Sequence, residues 1–468
     1  MTKILPRLVM AALRGGAGKT TLSLGLIAAW KKLGRKVAPF KKGPDYIDSA
    51  WLSLAAERPC RNLDTFLMDP PKVRGSFGRN AEPEGISIIE GNRGLYDGMD
   101  SRGSQSTAEL AKLLNAPVVL ILDCNKVTRT LAAMVLGCQR LDPGVDIRGV
   151  VLNQVAGTRH EEVLRRSIEQ DCHLPVLGAV PRMKGFPFPE RHLGLLPPQE
   201  HLWVSRALEE VADMAEKYLD LDQFWKVAKT ALPFNWEAPE EGPKATRLFP
   251  GAVIGVMRDS AFQFYYPENL QSLADRGATL IEISAVREEK LPPIDALYIG
   301  GGFPETHAEL LANNVSFRNS LRLEVENGLP VYAECGGLMY LGDSLTLETR
   351  NYPMVGALPV AFAMERRPQG HGYTILEVEK PNPFFPVGSV LKGHEFHYSR
   401  VLWWKKDRAY LAYRVTRGKG IDGIGDGLCY QNVLGTYSHI HTLGCEGWAD
   451  GLIRRAAERK AMNPAAAV

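Results

Sequence analysis

Three observations predict an α/β protein built from two sheet-and-helix domains. Short apolar runs alternate with helix-period segments in two separate stretches, an interval rich in proline and charge divides them, and each stretch carries a glycine-rich turn after an apolar run. In the first stretch the runs are Leu8 to Leu13, Val37 to Phe40, Ile86 to Glu90, Val118 to Leu122, Gly149 to Asn153 and Val176 to Ala179. Runs that stay apolar are what parallel strands covered on both faces require. The pattern restarts at Ala252 to Val256 and continues through Thr279 to Ile283, Ala296 to Ile299 and Leu329 to Ala333. Between the two, Leu221 to Pro250 holds Pro233, Pro239, Pro243 and the charged run Glu237 to Lys244, and lacks the apolar period a core needs. The expected divisions are a first domain over 1–225, a linker over 226–250, a second domain over 251–460 and a tail of small residues over 461–468.

Composition agrees. A chain of 468 residues is too long for one ordinary core, so two domains of about 200 residues are expected. With 45% hydrophobic and 23% charged residues and a net charge of +3, nothing favours nucleic acid as a partner. The seven cysteines, at 60, 124, 138, 172, 335, 429 and 445, form no C-x-x-C pair, which argues against a zinc ribbon or a disulfide framework and for a reducing compartment. No leader-like order opens the sequence, and no apolar stretch approaches the ~18 residues a membrane span needs. The expectation is a cytoplasmic protein with no membrane partner.

The first glycine-rich turn is Arg14-Gly15-Gly16-Ala17-Gly18-Lys19-Thr20-Thr21. Placed between a buried strand and a helix (Leu22, Leu26, Ala29, Leu33), it lets backbone N–H groups of Gly15, Gly16 and Gly18 converge on phosphate oxygens. Lys19 then reaches the terminal phosphates of ATP, and Thr20, followed by Thr21, offers a hydroxyl to Mg²⁺. The strict phosphate-loop pattern asks for glycine where this chain has Leu13. Asp45 and Glu90, each following an apolar strand on the rim where ligands of open parallel sheets gather, are the expected carboxylates for Mg²⁺. Asp97 is a further acid of the same neighbourhood, and Asn153, closing a strand, is placed against the adenine.

The second turn, Tyr332-Ala333-Glu334-Cys335-Gly336-Gly337, presents a thiol where strand gives way to helix. Exposure, a helix N-terminus that lowers the thiol pKa and adjacent N–H groups for an oxyanion are the expected properties of such a cysteine. Gly300-Gly301-Gly302-Phe303-Pro304-Glu305 supplies the opposing donor turn, and Gly435-Thr436-Tyr437-Ser438-His439-Ile440-His441 offers two histidines as base, His439 first and His441 behind it. The other six cysteines lack this setting and read as packing residues.

The phosphate turn looks like the deviant loop K-G-G-x-G-K-T of the dethiobiotin synthetase and partitioning-ATPase superfamily, with Arg14 in place of its first lysine. Over almost its whole length the chain resembles the cobyrinate a,c-diamide synthase family. The resemblance rests on that loop, Lys41 to Asp48, Arg61-Asn62-Leu63-Asp64, Glu190 to Leu195, Arg258 to Phe262, Phe264 to Asn269, Gly300 to Glu305, Cys335-Gly336-Gly337 and His394 to Ser399, in that order. It implies an N-terminal synthetase domain with a dethiobiotin-synthetase-like parallel sheet and a C-terminal class I glutamine amidotransferase domain, flavodoxin-like, of the cobyric acid type. In that type the glutaminase lacks an acidic third member, and His441 stands where related amidotransferases carry Glu. Tyr46, Asp48 and Asp97 are then assigned to the substrate, and Gly301, Gly302 and Gly336 to the oxyanion.

The implied reaction is amidation of the a and c acetates of cobyrinate: glutamine is cleaved at Cys335, and ammonia attacks an acyl phosphate formed with ATP. The implied partners are L-glutamine and a polycarboxylate tetrapyrrole, with a homodimer as the assembly. Two departures bear on the substrate. Asn92-Arg93 follows Glu90-Gly91 where relatives have an apolar pair, and 182–189 is basic and aromatic, with Arg182, Lys184, Phe186 and Phe188 suited to a carboxylate-rimmed macrocycle. Sirohaem or nickel-sirohydrochlorin fits the same chemistry. A reading of another class is a regulatory phosphate-loop ATPase with an inert glutaminase-like domain, and a third is a ligase for a cell-wall lipid carboxylate.

Overall fold

The computed structural model describes residues 2–183, 190–191, 194–195, 197–198, 203–236, 251–445 and 447–462. The chain divides into two compact units, Met1–Glu240 and Glu241–Val468.

In the first unit the strands β1 (Arg7–Ala12), β2 (Val37–Lys42), β3 (Arg61–Leu63), β4 (Ile86–Glu90), β5 (Val118–Asp123), β6 (Ile147–Val155) and β7 (Val176–Pro181) form a seven-stranded sheet in the order β3-β2-β4-β1-β5-β6-β7. Every pairing in it is parallel. All six residues of β1 and all five of β4 are buried, as strands with helices on both faces must be. The expected strands are present within a few residues of their expected ends; β3 is an addition. Helix α1 (Lys19–Lys32) follows β1 and is buried nearly all round because Val204–Tyr218 covers it from outside. Gly25 permits that contact, since a Cβ there would lie 2.7 Å from the Val211 carbonyl oxygen.

The expected linker is corrected at its start. Residues 226–236 belong to the first unit: the helix Leu221–Lys229 buries Phe224, Val227 and Ala228, and Phe234–Asn235 pairs with Thr2–Lys3. Arg7, fully buried, ties this segment down by donating to the carbonyls of Leu232, Leu114, Asn115 and Leu5. Residues 237–250 lie outside the described residues.

The second unit contains a ten-stranded sheet. Its strands are β8 (Val253–Met257), β9 (Thr279–Ile283), β10 (Ala296–Ile299), β11 (Val331–Glu334), β12 (Gly370–Val378), β13 (Val390–His397), β14 (Tyr410–Arg417), β15 (Gly425–Tyr430), β16 (Val433–Thr436) and β17 (His439–Ile440), ordered β9-β8-β10-β11-β16-β15-β14-β12-β13-β17. The half from β9 to β16 is parallel and the half from β16 to β17 is antiparallel. Alternation along the strands splits the core into two. Leu297, Ile299, Val331, Ala333 and Val433 pack on one face, and Ala296, Tyr298, Tyr332 and Leu434 pack on the other with Trp448 and Leu452 of the helix Trp448–Met462. That helix runs into the expected tail as far as Met462. No helix of the described residues is long and apolar enough to cross a membrane.

Candidate active site

At the carboxyl edge of the first sheet, β1 delivers the loop to α1. Gly16 and Gly18 hold φ of 71° and 94°, a conformation that side chains disfavour. Asn153, reaching in from β6, donates to the Ala17 carbonyl oxygen at 2.9 Å, so its amide buttresses the loop itself. Lys19 donates to the Arg93 carbonyl oxygen at 2.7 Å, and burial, then the charge of Lys41, lowers its pKa. Thr21 follows, half-buried in the first turn of α1. Arg14 pairs with Asp123.

The acids around Thr20 differ from expectation. Its hydroxyl donates to Glu90 at 2.7 Å and also meets Asp48 at 3.3 Å. Asp45 sits behind, taking the Asp48 N–H at 2.8 Å at the head of α2 (Ile47–Ala56), and burial with Asp48 beside it pushes its pKa up to about 7. Asp48, assigned to the substrate by resemblance, thus takes the place at Thr20 expected of Asp45, with the half-buried Tyr46 beside it. Asp97 accepts the Gly94 N–H at 2.8 Å and shapes the turn after Arg93.

Sequence reasoning missed Lys41. Its ammonium lies 2.7 Å from both Asp48 and Glu90. Burial disfavours its charge, but Asp48, Glu90 and Asp45 outweigh that and hold its pKa well above the ordinary lysine value. The signal was a lysine pair closing an apolar strand directly before Gly-Pro-Asp. Among the described residues no three acidic, histidine or cysteine groups surround an open point. The set still suits Mg²⁺, which takes one or two carboxylates and otherwise water and phosphate oxygens. Glu90 presents a second, buried oxygen, Oε2, without a hydrogen-bond partner beside the Thr20 hydroxyl.

In the second unit the thiol stands where β11 ends. Cys335 adopts φ 46°, ψ −99°, an uncommon conformation that reverses the chain into the short helix α3 (Gly336–Leu341). Its N–H donates to the Thr436 carbonyl oxygen at 2.7 Å, which locks the turn to β16, and three residues further along lies His439. The triple-glycine turn closes the other side. A Cβ on Gly301 would sit 2.4 Å from His439 Cε1, and a Cβ on Gly336 would sit 3.0 Å from the Gly302 nitrogen. Cys335, Gly336, Gly301, Gly302 and His439 are therefore brought together, and only glycine fits where imidazole and turn touch.

His441 is turned elsewhere. Its ring packs on Tyr266 with centroids 4.7 Å apart, its Nδ1 accepts the Leu443 N–H, and its Nε2 lies 3.6 Å from Glu268. The thiol pKa also departs from expectation: burial, with Glu305 next, raises it, and the Gly336 N–H offsets only part. A helix of six residues provides little positive end to set against burial of the thiol. A raised thiol pKa calls for a base that takes the proton as sulfur attacks. His394 stacks on His439 with centroids 5.0 Å apart, and burial lowers its pKa well below the histidine norm.

Of the substrate-loop residues, Arg182 donates to Asn125 at 2.5 Å, while Lys184, Phe186 and Phe188 lie outside the described residues. A first mutational outcome follows from the glycine contact. Gly301→Ala should displace the imidazole and lower the kcat of glutamine hydrolysis by ~10²-fold, the scale of a misplacement of about 1 Å. Steady-state glutaminase assays beside a thermal melt check this; a folded variant with wild-type kcat contradicts the geometry.

Comparison with known proteins identifies both domains. Residues 8–195 match the model of the CobQ/CobB/MinD/ParA nucleotide binding domain, and residues 253–446 match the CobB/CobQ-like glutamine amidotransferase domain. A cobyrinate a,c-diamide synthase of Magnetococcus marinus is 44% identical over 97% of this chain and 98% of its own. Proteins of the same name from Archaeoglobus fulgidus (40% identity, 97% and 98% covered) and Methanothermobacter thermautotrophicus (39%, 97% and 100%) are similar throughout. The chain therefore belongs to the cobyrinate a,c-diamide synthase family of glutamine-dependent amidotransferase ligases.

Proposed function

We propose that this enzyme converts cobyrinate to its a,c-diamide, drawing nitrogen from glutamine and driving each amidation with ATP through an acyl phosphate. The observation that carries the reading is the presence of both reaction centres, a Cys–His–glycine cluster and a phosphate loop facing Glu90, on one chain that matches synthases of that name end to end.

In the second unit His439 takes the Cys335 proton as sulfur attacks the glutamine side-chain carbonyl, and backbone N–H groups of Gly336 and the Gly301-Gly302 turn stabilise the oxyanion. The proton passes to the departing nitrogen, ammonia leaves, and water hydrolyses the thioester to glutamate. In the first unit the loop glycines and Lys19 hold the phosphates of ATP while an acetate carboxylate of the macrocycle attacks the γ-phosphorus. Mg²⁺ when bound neutralises phosphate charge, and Thr20, Glu90 and Asp48 are the residues that would hold it. A free carboxylate resists ammonia; phosphorylation converts its oxygen into a leaving group. Arg93 is exposed beside the loop, and its charge suits the remaining acetates of such a macrocycle.

Incubating the enzyme with ATP, Mg²⁺ and glutamine and with cobyrinate, sirohaem or nickel-sirohydrochlorin in parallel tests the substrate. Mass spectrometry should show two amidations of cobyrinate, and a kcat/KM at least ~10²-fold lower for the other macrocycles, the discrimination a mismatched site gives. Preferential turnover of another macrocycle overturns the cobyrinate reading.

A further inference from the structure

The residue before the nucleophile carries a carboxylate to which no role is attached. Glu334 ends β11 and is fully buried. The two-residue period of the strand turns its side chain to the face occupied by Tyr332, opposite the core face to which Ala333 belongs. Its Oε2 lies 3.2 Å from His439 Nδ1. The other contacts fix it there: Tyr298 donates its hydroxyl at 3.3 Å, and the Ile440 N–H donates to Oε1 at 3.3 Å. Asn269 in turn holds both Tyr298 and the Ile440 carbonyl oxygen, at 3.4 and 2.9 Å.

A carboxylate accepts hydrogen bonds only, so the imidazole beside it must present Nδ1–H. That choice leaves Nε2 unprotonated, and Nε2 is the nitrogen on the Gly301 side of the ring, where a Cβ would come within 3.2 Å of it. The base is thus supplied in the tautomer whose unprotonated nitrogen lies on the side of the Gly301 turn.

Resting on the glutaminase reading above, we infer that Glu334 is the acidic third member of the amide-cleaving site, a positioning residue that fixes the tautomer and orientation of His439 from the position before the nucleophile. The acid absent two residues after the base is replaced from the end of β11, the position before the nucleophile. When Nε2 takes the thiol proton, the imidazolium lies against a full negative charge at Nδ1, and the proton then returns from Nε2 to the leaving nitrogen. Glu334 gains and loses no proton itself.

Glu334→Gln tests this with little change of shape. The amide oxygen keeps the Ile440 N–H, but its NH₂ faces Nδ1 and selects the opposite tautomer, with Nε2–H pointing at sulfur. The expected result is a fall of ~10²-fold or more in kcat for glutamine hydrolysis, the direction known when a triad carboxylate is made an amide, with KM for glutamine unchanged. Glu334→Asp, which keeps the charge, should recover at least ~10-fold of the loss, and ammonia-driven amide synthesis by both variants should equal wild type. A folded Gln variant with wild-type kcat, or Gln and Asp variants equally impaired, overturns the assignment. Failure of the glutaminase reading itself looks different, because wild-type protein would then not hydrolyse glutamine at all.

Discussion

Replacing Cys335 by alanine should reduce glutamine hydrolysis by ~10⁴-fold or more while leaving amide synthesis from added ammonia intact. The size follows from the chemistry, since without sulfur no thioester forms and the remaining glycine turn can only polarise a carbonyl for water. The selectivity follows from the fold. Cys335 belongs to the core of the second unit, together with Ile299, Ala333 and Leu338, and the phosphate loop lies in the first. Alanine removes one sulfur from a site with 7% exposure, and its φ of 46° is inherited strain that a small side chain tolerates no worse than cysteine does. Parallel assays with glutamine and ammonium chloride check it. Glutamine cleavage at the wild-type rate ends the thiol mechanism, and loss of ammonia-driven synthesis by a folded variant ends the separation of the two chemistries.

How much of this was legible in the sequence depends on the range over which each feature is encoded. Parallel strands such as Ile86–Glu90 and Ala296–Ile299 are covered on both faces, so their apolar runs show in the chain itself. The antiparallel half of the second sheet did not show. Its strands, such as Gly370–Val378, alternate buried with half-exposed residues and carry charge on the open face, and their pairing depends on partners far along the chain. Glycine clusters marked both sites because the need for close approach is local. Which carboxylate faces which partner is set between elements distant in the chain, which is why Asp48 rather than Asp45 meets Thr20 and why the partnership of Glu334 with His439 was invisible beside the thiol. The linker was drawn too long for a similar reason: Phe224, Val227 and Ala228 have helical spacing, but a nine-residue helix next to Pro233 is weak without the cover that Arg7 and the first sheet supply.

Lys19→Ala should lower amide synthesis by ~10³-fold with either nitrogen source and spare glutamine hydrolysis. The lysine is the one cation of the phosphate loop whose ammonium is buried at the head of α1, and its hydrogen bond to the Arg93 carbonyl holds it over the loop. Charge builds on the transferring phosphoryl oxygens in the transition state, so an ammonium at that point acts mainly on kcat, with a smaller effect on KM for ATP. Lys41 does not replace it. That ammonium is already committed to Asp48 and Glu90, and moving it would leave the buried Glu90 and the partly buried Asp48 uncompensated beside the Thr20 hydroxyl. Lys19→Arg should fail as well, because a planar guanidinium does not fill the place of a compact ammonium in a tight loop. Product formation with glutamine and with ammonia, beside glutamate release, separates the outcomes. Synthesis by Lys19→Ala within ~10-fold of wild type would remove the phosphoryl-transfer role, since no other free lysine of that loop can supply the missing charge.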